Sequence, residues 1–535
     1  MSLAEIMMRR FGIAIVFAIA CFTLFIGSST ASSLKQRPNI DDWKVTSIVR
    51  TIELSSVSAL SDVHTIKPSV EVQSEQDIKP YYFALSALEA QHISGLEATA
   101  RYGPGVIPKQ RAILRVAEHG PLDTTDALWA DGNATASRPH LYSIKLPLHF
   151  LQPGSSEETL ADTSLTITGM LVHASTPLPA SVGQTESQNV LWKGSAALVS
   201  VYEAGSGRIK VKSPQPTIVS YSTEPALPSE QVTKSGSTIT FGPFSSIPSL
   251  LKSGSHSIPP EAKVHYLHNS PILTIVEADR KVKISHWKNR LEVEDRLWLR
   301  NDGAKLKGHF SRVQHQLNAL VQKAKTHTLS NLVLQLPPGV DGAYFIDESG
   351  NVSTSNFRPK PPSPSHVDTP PHLLTPLKAS LLDVRPRYPL LGGWNYTCSI
   401  GWYVKLTDGW LKTHETEDRR FITHIPFLPA VKDTAIDDAT LRIIFPEGSK
   451  DISFKVPFAV EVENERSWSF LDTIGKPVLK LHKKRCSERH GGMVTVEYTL
   501  TTGDQYRKAL IALLAGVLIA GAMRLFSKID LSIKA

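Results

Sequence analysis

Apolar and polar residues alternate with a period of two through much of the interior of this sequence. The apolar positions are Tyr142, Ile144, Leu146, Leu148 and Phe150 in one segment, Leu291, Val293, Leu297 and Leu299 in a second, and Val494, Val496, Tyr498 and Leu500 in a third. Because successive side chains of a strand point to opposite faces, this pattern predicts strands with one buried and one wet face. Such strands form antiparallel sheets that pack as sandwiches, so we expect a mainly β fold.

The first 31 residues have the composition of a secretory signal peptide. Arg9 and Arg10 precede an apolar segment over residues 11–26, and residues 29–31 are small, as a cleavage site requires. We expect the remainder of the chain to enter the lumen of the endoplasmic reticulum. An uncleaved anchor is the alternative, and it would leave the bulk of the chain on the same side of the membrane.

A second apolar run, over residues 509–523, lies near the other end of the chain. It extends to residue 526 if Arg524 snorkels, which gives about 27 Å of helix at about 1.5 Å per residue. Because the endoplasmic reticulum membrane is thin, we predict a transmembrane helix over residues 507–527 and a cytosolic tail over 528–535. The predicted topology is single-pass type I. A glycolipid-anchor signal is the alternative, but such signals end in apolar residues, and this chain ends in a charged segment.

Small residues recur every four positions along this predicted helix, at Ala512, Gly516 and Ala520. A stripe of this kind lets another membrane helix approach closely, so the three residues are candidate helix-packing positions. The alternative is that alanine and glycine simply fill a short span.

The length of 535 residues exceeds what one hydrophobic core usually organises. Residues 212–263 are rich in serine, proline and glycine, which favours a domain boundary near residue 220. We therefore predict two successive antiparallel β-sandwich-like luminal domains, over residues 32–220 and 221–506. A proline-rich segment over residues 358–378 is typical of an exposed loop inside the second domain.

Charge and motif content exclude several classes of function. The 58 basic and 50 acidic residues give a net charge of +8, but the basic residues are scattered singly, so nucleic acid is not an expected partner. The sequence contains no H-E-x-x-H zinc helix, no G-x-S-x-G elbow, no phosphate-binding loop and no G-x-G-x-x-G. We predict no catalytic residue, no cofactor site and no metal site.

Cysteines and glycosylation sequons fit a luminal chain. Removal of the signal peptide would leave Cys398 and Cys486, which either form a disulfide or remain two free thiols. Asn133, Asn351 and Asn395 each begin an Asn-x-Ser/Thr sequon and are candidate N-glycosylation sites.

Six segments carry a resemblance to a known family. They are residues 283–287 (KISHW), 303–312 (GAKLKGHFSR), 347–355 (DESGNVSTS), 385–394 (RPRYPLLGGW), 443–450 (IIFPEGSK) and 471–478 (LDTIGKPV). Both the segments and their order resemble those of the ribophorin I family, whose members are single-pass subunits of the oligosaccharyltransferase complex. The resemblance covers about residues 45–533 and is closest from residue 240 onward.

The resemblance implies a non-catalytic role. In that family the complex transfers a preassembled oligosaccharide from dolichyl diphosphate to asparagine in Asn-x-Ser/Thr sequons, and a different, multi-pass subunit carries the chemistry. The implied partners are that catalytic subunit, the other subunits of the complex, nascent glycoproteins and the membrane. The topology alone would equally allow a type I receptor or adhesion ectodomain, and a luminal hydrolase whose site assembles only in space is a further alternative.

Overall fold

The protein is described here from a computed structural model of the 535-residue chain. The structure describes residues 38–69, 78–101, 112–121, 138–147, 163–252, 259–317, 327–363, 369–370, 373–414, 419–470 and 472–527. Strands dominate these residues, which confirms the predicted mainly β fold. The predicted signal peptide and the tail over residues 528–535 lie outside the described residues.

The first half of the chain forms sixteen strands in the described residues. They are β1 (Trp43–Glu53), β2 (Ser58–Pro68), β3 (Tyr81–Leu85), β4 (Ile93–Arg101), β5 (Ala112–Leu114), β6 (Val116–Pro121), β7 (His140–Ile144), β8 (Thr163–Leu171), β9 (Ser175–Pro177), β10 (Ser181–Val182), β11 (Asn189–Ser195), β12 (Ala204–Lys212), β13 (Ile218–Glu224), β14 (Val232–Ser235), β15 (Thr238–Ile247) and β16 (Glu261–Leu267). Helix α1 (Ala87–His92) lies between β3 and β4, and 3-10 turns occur at Ile40–Asp42 and Ser229–Gln231.

The second half forms another sixteen strands in the described residues. They are β17 (Leu273–Ser285), β18 (Arg290–Asn301), β19 (Lys305–Leu306), β20 (Leu332–Leu336), β21 (Asp341–Asp347), β22 (Gly350–Asn351), β23 (Asn356–Arg358), β24 (Ser380–Val384), β25 (Asn395–Lys405), β26 (Leu411–His414), β27 (Arg420–Pro426), β28 (Ala435–Ile444), β29 (Lys450–Lys455), β30 (Glu461–Ser467), β31 (Lys476–Cys486) and β32 (Met493–Thr499). Helices α2 (Arg312–Leu317) and α3 (Thr502–Phe526) and 3-10 turns at Leu406–Asp408 and Glu488–His490 complete the described elements.

Each half is built around one large sheet and smaller sheets that share its core. In the first half the eight-stranded order is β14-β15-β12-β1-β2-β8-β4-β5, with a four-stranded sheet β13-β16-β11-β9 and a three-stranded sheet β3-β7-β6. In the second half the order is β22-β21-β25-β18-β17-β28-β31-β30, with sheets β26-β27-β32-β29 and β20-β24-β23. Antiparallel pairing predominates, but each eight-stranded sheet contains one parallel pair, β1 with β12 and β17 with β28.

The two hydrophobic cores divide at a different place from the predicted boundary. The first core extends to Ile272 and the second begins at Leu273. Strands on both sides of residue 220 belong to the same sheets, because β15 pairs with β12 and β16 pairs with β11. The segment rich in serine and proline therefore forms strands of the first core rather than a linker. We accordingly propose a domain boundary at residues 272–273 in place of the one near residue 220.

The long strands of the second domain run between two ends of the molecule. At the end next to α3, which we call the helix end, Ser285 pairs with Arg290 and Arg290 with Lys405. At the opposite end, which we call the distal end, Leu273 pairs with Asn301. β31 leads from Lys476 at the helix end to Cys486 at the distal end, a distance of about 33 Å at about 3.3 Å per residue.

The first domain joins the second at the distal end. Ser94 Oγ in β4 donates to the backbone carbonyl of Arg485 at 2.7 Å, and Arg489 donates to Glu97 at 2.8 Å. β10 also pairs in parallel with β19. The second domain therefore lies between the first domain and the C-terminal helix.

Candidate membrane-anchoring site

Helix α3 begins with a well-formed cap. Thr501 Oγ1 accepts the Asp504 backbone N–H at 3.2 Å and donates to the Asp504 carboxylate at 2.7 Å. The carboxylate lies in the first turn, where the helix dipole favours negative charge, and it also pairs with Arg507. The helix therefore starts at Thr502 with a polar turn, earlier than the predicted residue 507.

The rest of α3 is apolar and unburied. No part of its most apolar stretch is buried within the protein. Twenty-five residues correspond to about 37 Å of helix, enough to cross a hydrocarbon layer of about 30 Å. Within the described residues α3 is the one helix that is long and apolar enough to span a membrane.

The predicted packing stripe lies on this exposed helix. Ala512, Gly516 and Ala520 are all exposed, and a Cβ added at Gly516 would meet nothing within 4 Å. The described part of the chain therefore leaves space for another helix beside the stripe. Its role in packing stays a prediction.

The base of α3 is attached to two turns at the helix end of the second domain. The Trp287 indole donates to the Gln505 carbonyl at 2.9 Å, and its ring meets the Tyr506 ring edge to face at 5.9 Å. Lys508 pairs with the buried carboxylate of Asp472. The helix base is therefore held by contacts from two separate turns.

A third turn contacts the helix base through a glycine. Gly448 has a φ of +86°, and a Cβ there would lie 2.6 Å from the Asp504 Cβ. The neighbouring Glu447 accepts the N–H groups of Thr473 and Ile474 at 2.6 and 3.0 Å. Burial opposes ionisation of Glu447, but these hydrogen bonds hold its pKa below the ordinary value. This turn therefore connects the helix base to the loop between β30 and β31.

Three of the six family-like segments meet at this site. Residues 283–287 supply Trp287, residues 443–450 supply Glu447 and Gly448, and residues 471–478 supply Asp472. No pattern in the sequence predicts that these segments meet, because they are far apart along the chain.

Two other family-like segments meet at the junction between the domains. The Ala304 N–H, in segment 303–312, donates to Gln188 of the first domain at 2.7 Å. Gly392, in segment 385–394, lies so close that a Cβ there would be 1.9 Å from the Ala304 carbonyl oxygen. Phe310 and Trp394, one from each segment, meet edge to face at 6.0 Å. The two segments therefore pack against each other at the junction, and segment 303–312 contacts the first domain.

Comparison with known proteins identifies the family of this chain. The family model described as Ribophorin I matches residues 43–526, which include both cores and nearly all of α3. The chain belongs to the Ribophorin I family.

Curated relatives carry names that fit the family. A protein of Arabidopsis thaliana named dolichyl-diphosphooligosaccharide–protein glycosyltransferase subunit 1B is 32% identical over 72% of this chain and 75% of its own length. The subunit 1B of Oryza sativa subsp. japonica is 29% identical over 84% of each chain. Subunit 1A of Arabidopsis thaliana is 26% identical over 94% of this chain and 73% of its own length. The resemblance inferred from the sequence is confirmed, and with α3 it indicates a single-pass membrane protein.

Two of the three sequons lie on the surface of this Ribophorin I family member. Asn351 in β22 and Asn395 at the start of β25 are both exposed. Side-chain donors hold the backbone of both sequons, because the Arg387 guanidinium donates to the Asn351 carbonyl at 3.1 Å and the Tyr388 hydroxyl donates to the Asn395 carbonyl at 2.9 Å. Asn133 lies outside the described residues. Glycosylation stays a prediction for all three.

The two cysteines do not form the disulfide considered from the sequence. Both thiols are free and buried, and burial raises the pKa of each to about 12. Cys398 lies in β25 and Cys486 in β31, which are four strand positions apart in one sheet, or about 19 Å. A disulfide needs Cα atoms within about 7 Å, so this geometry excludes the bridge.

The described residues contain no group of three or more histidine, cysteine, aspartate or glutamate side chains placed to hold a metal ion. Histidines at the helix end have local partners instead. His286, for example, is hydrogen-bonded to the Tyr498 hydroxyl at 2.8 Å, and burial lowers its pKa to about 4. The absence of catalytic, cofactor and metal sites stays a prediction.

Sequence reasoning missed one buried ionic cluster. Arg50 in β1 forms ion pairs with Asp62 in β2 and Glu89 in α1, and all three side chains are buried. The sequence carries a weak signal for it, since Arg50 lies among the alternating apolar residues of β1.

Proposed function

We propose that this chain is a non-catalytic accessory subunit of an oligosaccharyltransferase complex in the endoplasmic reticulum membrane. The complex would transfer a preassembled oligosaccharide from dolichyl diphosphate to asparagine in Asn-x-Ser/Thr sequons of nascent proteins. The match of the Ribophorin I model over residues 43–526 carries the proposal, because it includes both luminal cores and the membrane helix. Relatives named as subunit 1 of the glycosyltransferase support it.

In this proposal the two domains organise the complex and present glycoprotein substrates in the lumen. The partners are a multi-pass catalytic subunit, the other subunits of the complex and nascent chains. The arrangement of the chain supports a scaffolding role, since the second domain is tied both to the helix base and to the first domain.

Helix α3 would attach the subunit to its partners through the stripe of Ala512, Gly516 and Ala520. A four-residue step advances about 400° around a helix, so the three residues lie near one face, whereas Leu514 lies about 200° from Ala512. We expect Gly516→Leu to leave membrane insertion intact, because the segment stays apolar. The added side chain should prevent close helix approach and reduce association with other subunits.

Detergent co-purification with mass spectrometry tests both membership of the complex and docking through the stripe. The wild-type chain should recover the other transferase subunits, Leu514→Ala should match it, and Gly516→Leu should recover much less. Recovery of no transferase subunit with the wild-type chain would refute the proposed function. A receptor or adhesion protein would in addition reach the cell surface with processed glycans. Equal recovery from both variants would show that the stripe does not dock.

We also propose that Asn351 and Asn395 carry glycans in the lumen, since both are exposed at the surface of the second domain. Replacement of either residue by glutamine should increase electrophoretic mobility by the mass of one glycan. Digestion of both the wild-type and the variant protein with an endoglycosidase should remove the difference in mobility. A wild-type chain insensitive to the enzyme would contradict the proposed glycans.

A further inference from the structure

Large apolar side chains are exposed around the base of α3, where the chain would enter the bilayer. Phe470 is 88% exposed, Trp468 63% and Trp287 60%, and Ile474 is also exposed. We call these four residues the aromatic rim. Exposed apolar side chains near one part of a protein surface mark sites of contact with a membrane or another protein.

The rim lies at a fixed depth relative to the apolar part of α3. The Lys508 ammonium group, which pairs with Asp472, also lies 3.4 Å from the Phe470 carbonyl oxygen. Lys508 is the last charged residue before the apolar run that starts at Ala509. On the other side of the helix, Trp287 contacts Gln505 and Tyr506 at nearly the same level. Phe470 and Trp287 therefore lie where the bilayer interface begins.

The loop that carries Trp468 and Phe470 is held in one conformation by its own hydrogen bonds. The Ser469 N–H and hydroxyl both donate to the Asp472 carboxylate, at 2.5 and 2.8 Å, and Arg466 donates to the Ile474 carbonyl at 2.8 Å. The Trp468 ring lies against Gly475, where a Cβ would come within 3.0 Å of the indole. The exposed positions of the two rings are therefore set by the hydrogen bonds and contacts of the loop.

Burial opposes ionisation of Asp472, but hydrogen bonds from Lys508 and Ser469 hold its pKa below the ordinary value. The charge at the centre of the loop is therefore neutralised inside the protein. Among the described residues of this loop, the Trp468 and Phe470 rings are exposed to solvent, whereas the Asp472 carboxylate is buried against Lys508 of the helix base.

We propose that the aromatic rim inserts into the luminal leaflet of the membrane and forms a second membrane contact beside α3. The occupant is the interfacial region of the lipid bilayer, because the rim is continuous with the start of the spanning helix. Tryptophan and other aromatic side chains favour that region, where an apolar ring meets lipid and a polar atom remains satisfied. Trp287 has this character, since its indole N–H is bonded to the Gln505 carbonyl while its ring is exposed. This contact would restrict the orientation of the second domain relative to the membrane, which attachment through one helix alone would not do.

The inference rests on the proposed anchoring by α3, and the experiment separates the two. Full-length variants that each add one cysteine, Phe470→Cys, Leu514→Cys or Ile113→Cys, are labelled with a thiol-reactive fluorophore. They are then reconstituted into phosphatidylcholine vesicles with or without brominated acyl chains. The native Cys398 and Cys486 should label slowly, because both are buried and the pKa of each thiol is about 12. Ile113 is the matched control, since it is 72% exposed but belongs to the first domain at the distal end.

The proposal predicts that brominated lipid quenches the probes at residues 470 and 514 and leaves the probe at residue 113 unchanged. Quenching at residue 514 without quenching at residue 470 would overturn the lipid contact while the anchoring stands. No quenching at residue 514 would overturn the anchoring itself. Quenching at residue 470 in the isolated chain that disappears in the purified complex would overturn the lipid contact in favour of a covering subunit. Phe470→Cys should fold normally, because the side chain it removes is almost fully exposed.

Discussion

Replacement of Arg50 tests how much the first domain depends on its buried ionic cluster. The guanidinium donates to both carboxylate oxygens of Asp62, at 2.8 and 2.7 Å, and to Glu89 at 2.6 Å. Burial opposes the charge of Arg50, but the two carboxylates outweigh it and raise the pKa of the guanidinium. Glu89 also accepts the Ser86 N–H at 3.2 Å and so fixes the start of α1. One side chain therefore joins β1, β2 and α1.

Arg50→Met keeps much of the side-chain volume but leaves two buried carboxylates without a counter-charge. Removal of one partner from a buried ion pair costs about 3–5 kcal/mol, a large fraction of the 5–15 kcal/mol that typically stabilises a domain. For a domain of this size the loss corresponds to a fall in melting temperature of about 10 °C. Lys252→Met is the matched control, because Lys252 and its partner Glu203 are mostly exposed, and we expect it to cost less than about 1 kcal/mol.

Denaturant unfolding of the full chain in detergent, followed by tryptophan fluorescence, measures both variants. The buried Trp192 belongs to the same core as the cluster and reports on its unfolding. A loss below about 1 kcal/mol for Arg50→Met would refute the reasoning, because it would mean that the carboxylates are solvated or protonated at little cost. Replacing all three members, as Arg50→Met with Asp62→Leu and Glu89→Leu, should recover part of the loss, since no unpaired charge then remains buried.

Two further predictions concern the domain junction. Gly392→Ala should destabilise the junction by about 1–3 kcal/mol, as overpacking typically does, because the added Cβ would overlap the Ala304 carbonyl. Limited proteolysis between the domains should then become faster. An unchanged rate of proteolysis would contradict this prediction. His490 is buried, and burial lowers its pKa from 6.5 to about 3. The folded state therefore binds fewer protons than the unfolded state below pH 6.5. As a result, the free energy of unfolding falls as the pH drops below 6.5. At pH 5 the loss should reach about 2 kcal/mol relative to pH 7.5, and His490→Gln should remove this part of the pH dependence in urea unfolding.

The sequence predicts individual strands well because their pattern is local. Leu291, Val293, Leu297 and Leu299 are all buried in β18, as the alternation indicated. The position between them, Asp295, is also buried, and it lies directly opposite Arg280 in β17. Only strand pairing shows that an acidic residue on the buried face has a basic neighbour, so alternation alone could not account for it.

The sequence does not predict which strands pair over long distances. The parallel pairing of β1 with β12 places residues near 210 beside residues near 50, and no short-range pattern indicates this contact. The same non-local pairing draws residues 218–267 into the first core and moves the boundary to residue 272. The family-like segments 283–287, 443–450 and 471–478 could be found in the sequence, but their meeting at the base of α3 depends on the turns between long strands.

The length of the second domain sets how far the first domain stands from the bilayer. The first domain joins the distal end, about 33 Å from the helix end along β31. A fully extended polypeptide covers about 3.3–3.6 Å per residue, so a chain emerging beside α3 must extend by about ten residues before it reaches the first domain. Under the proposed function, the first domain would therefore act only on segments that have already left the membrane by that length, whereas the helix end would contact a chain as it emerges.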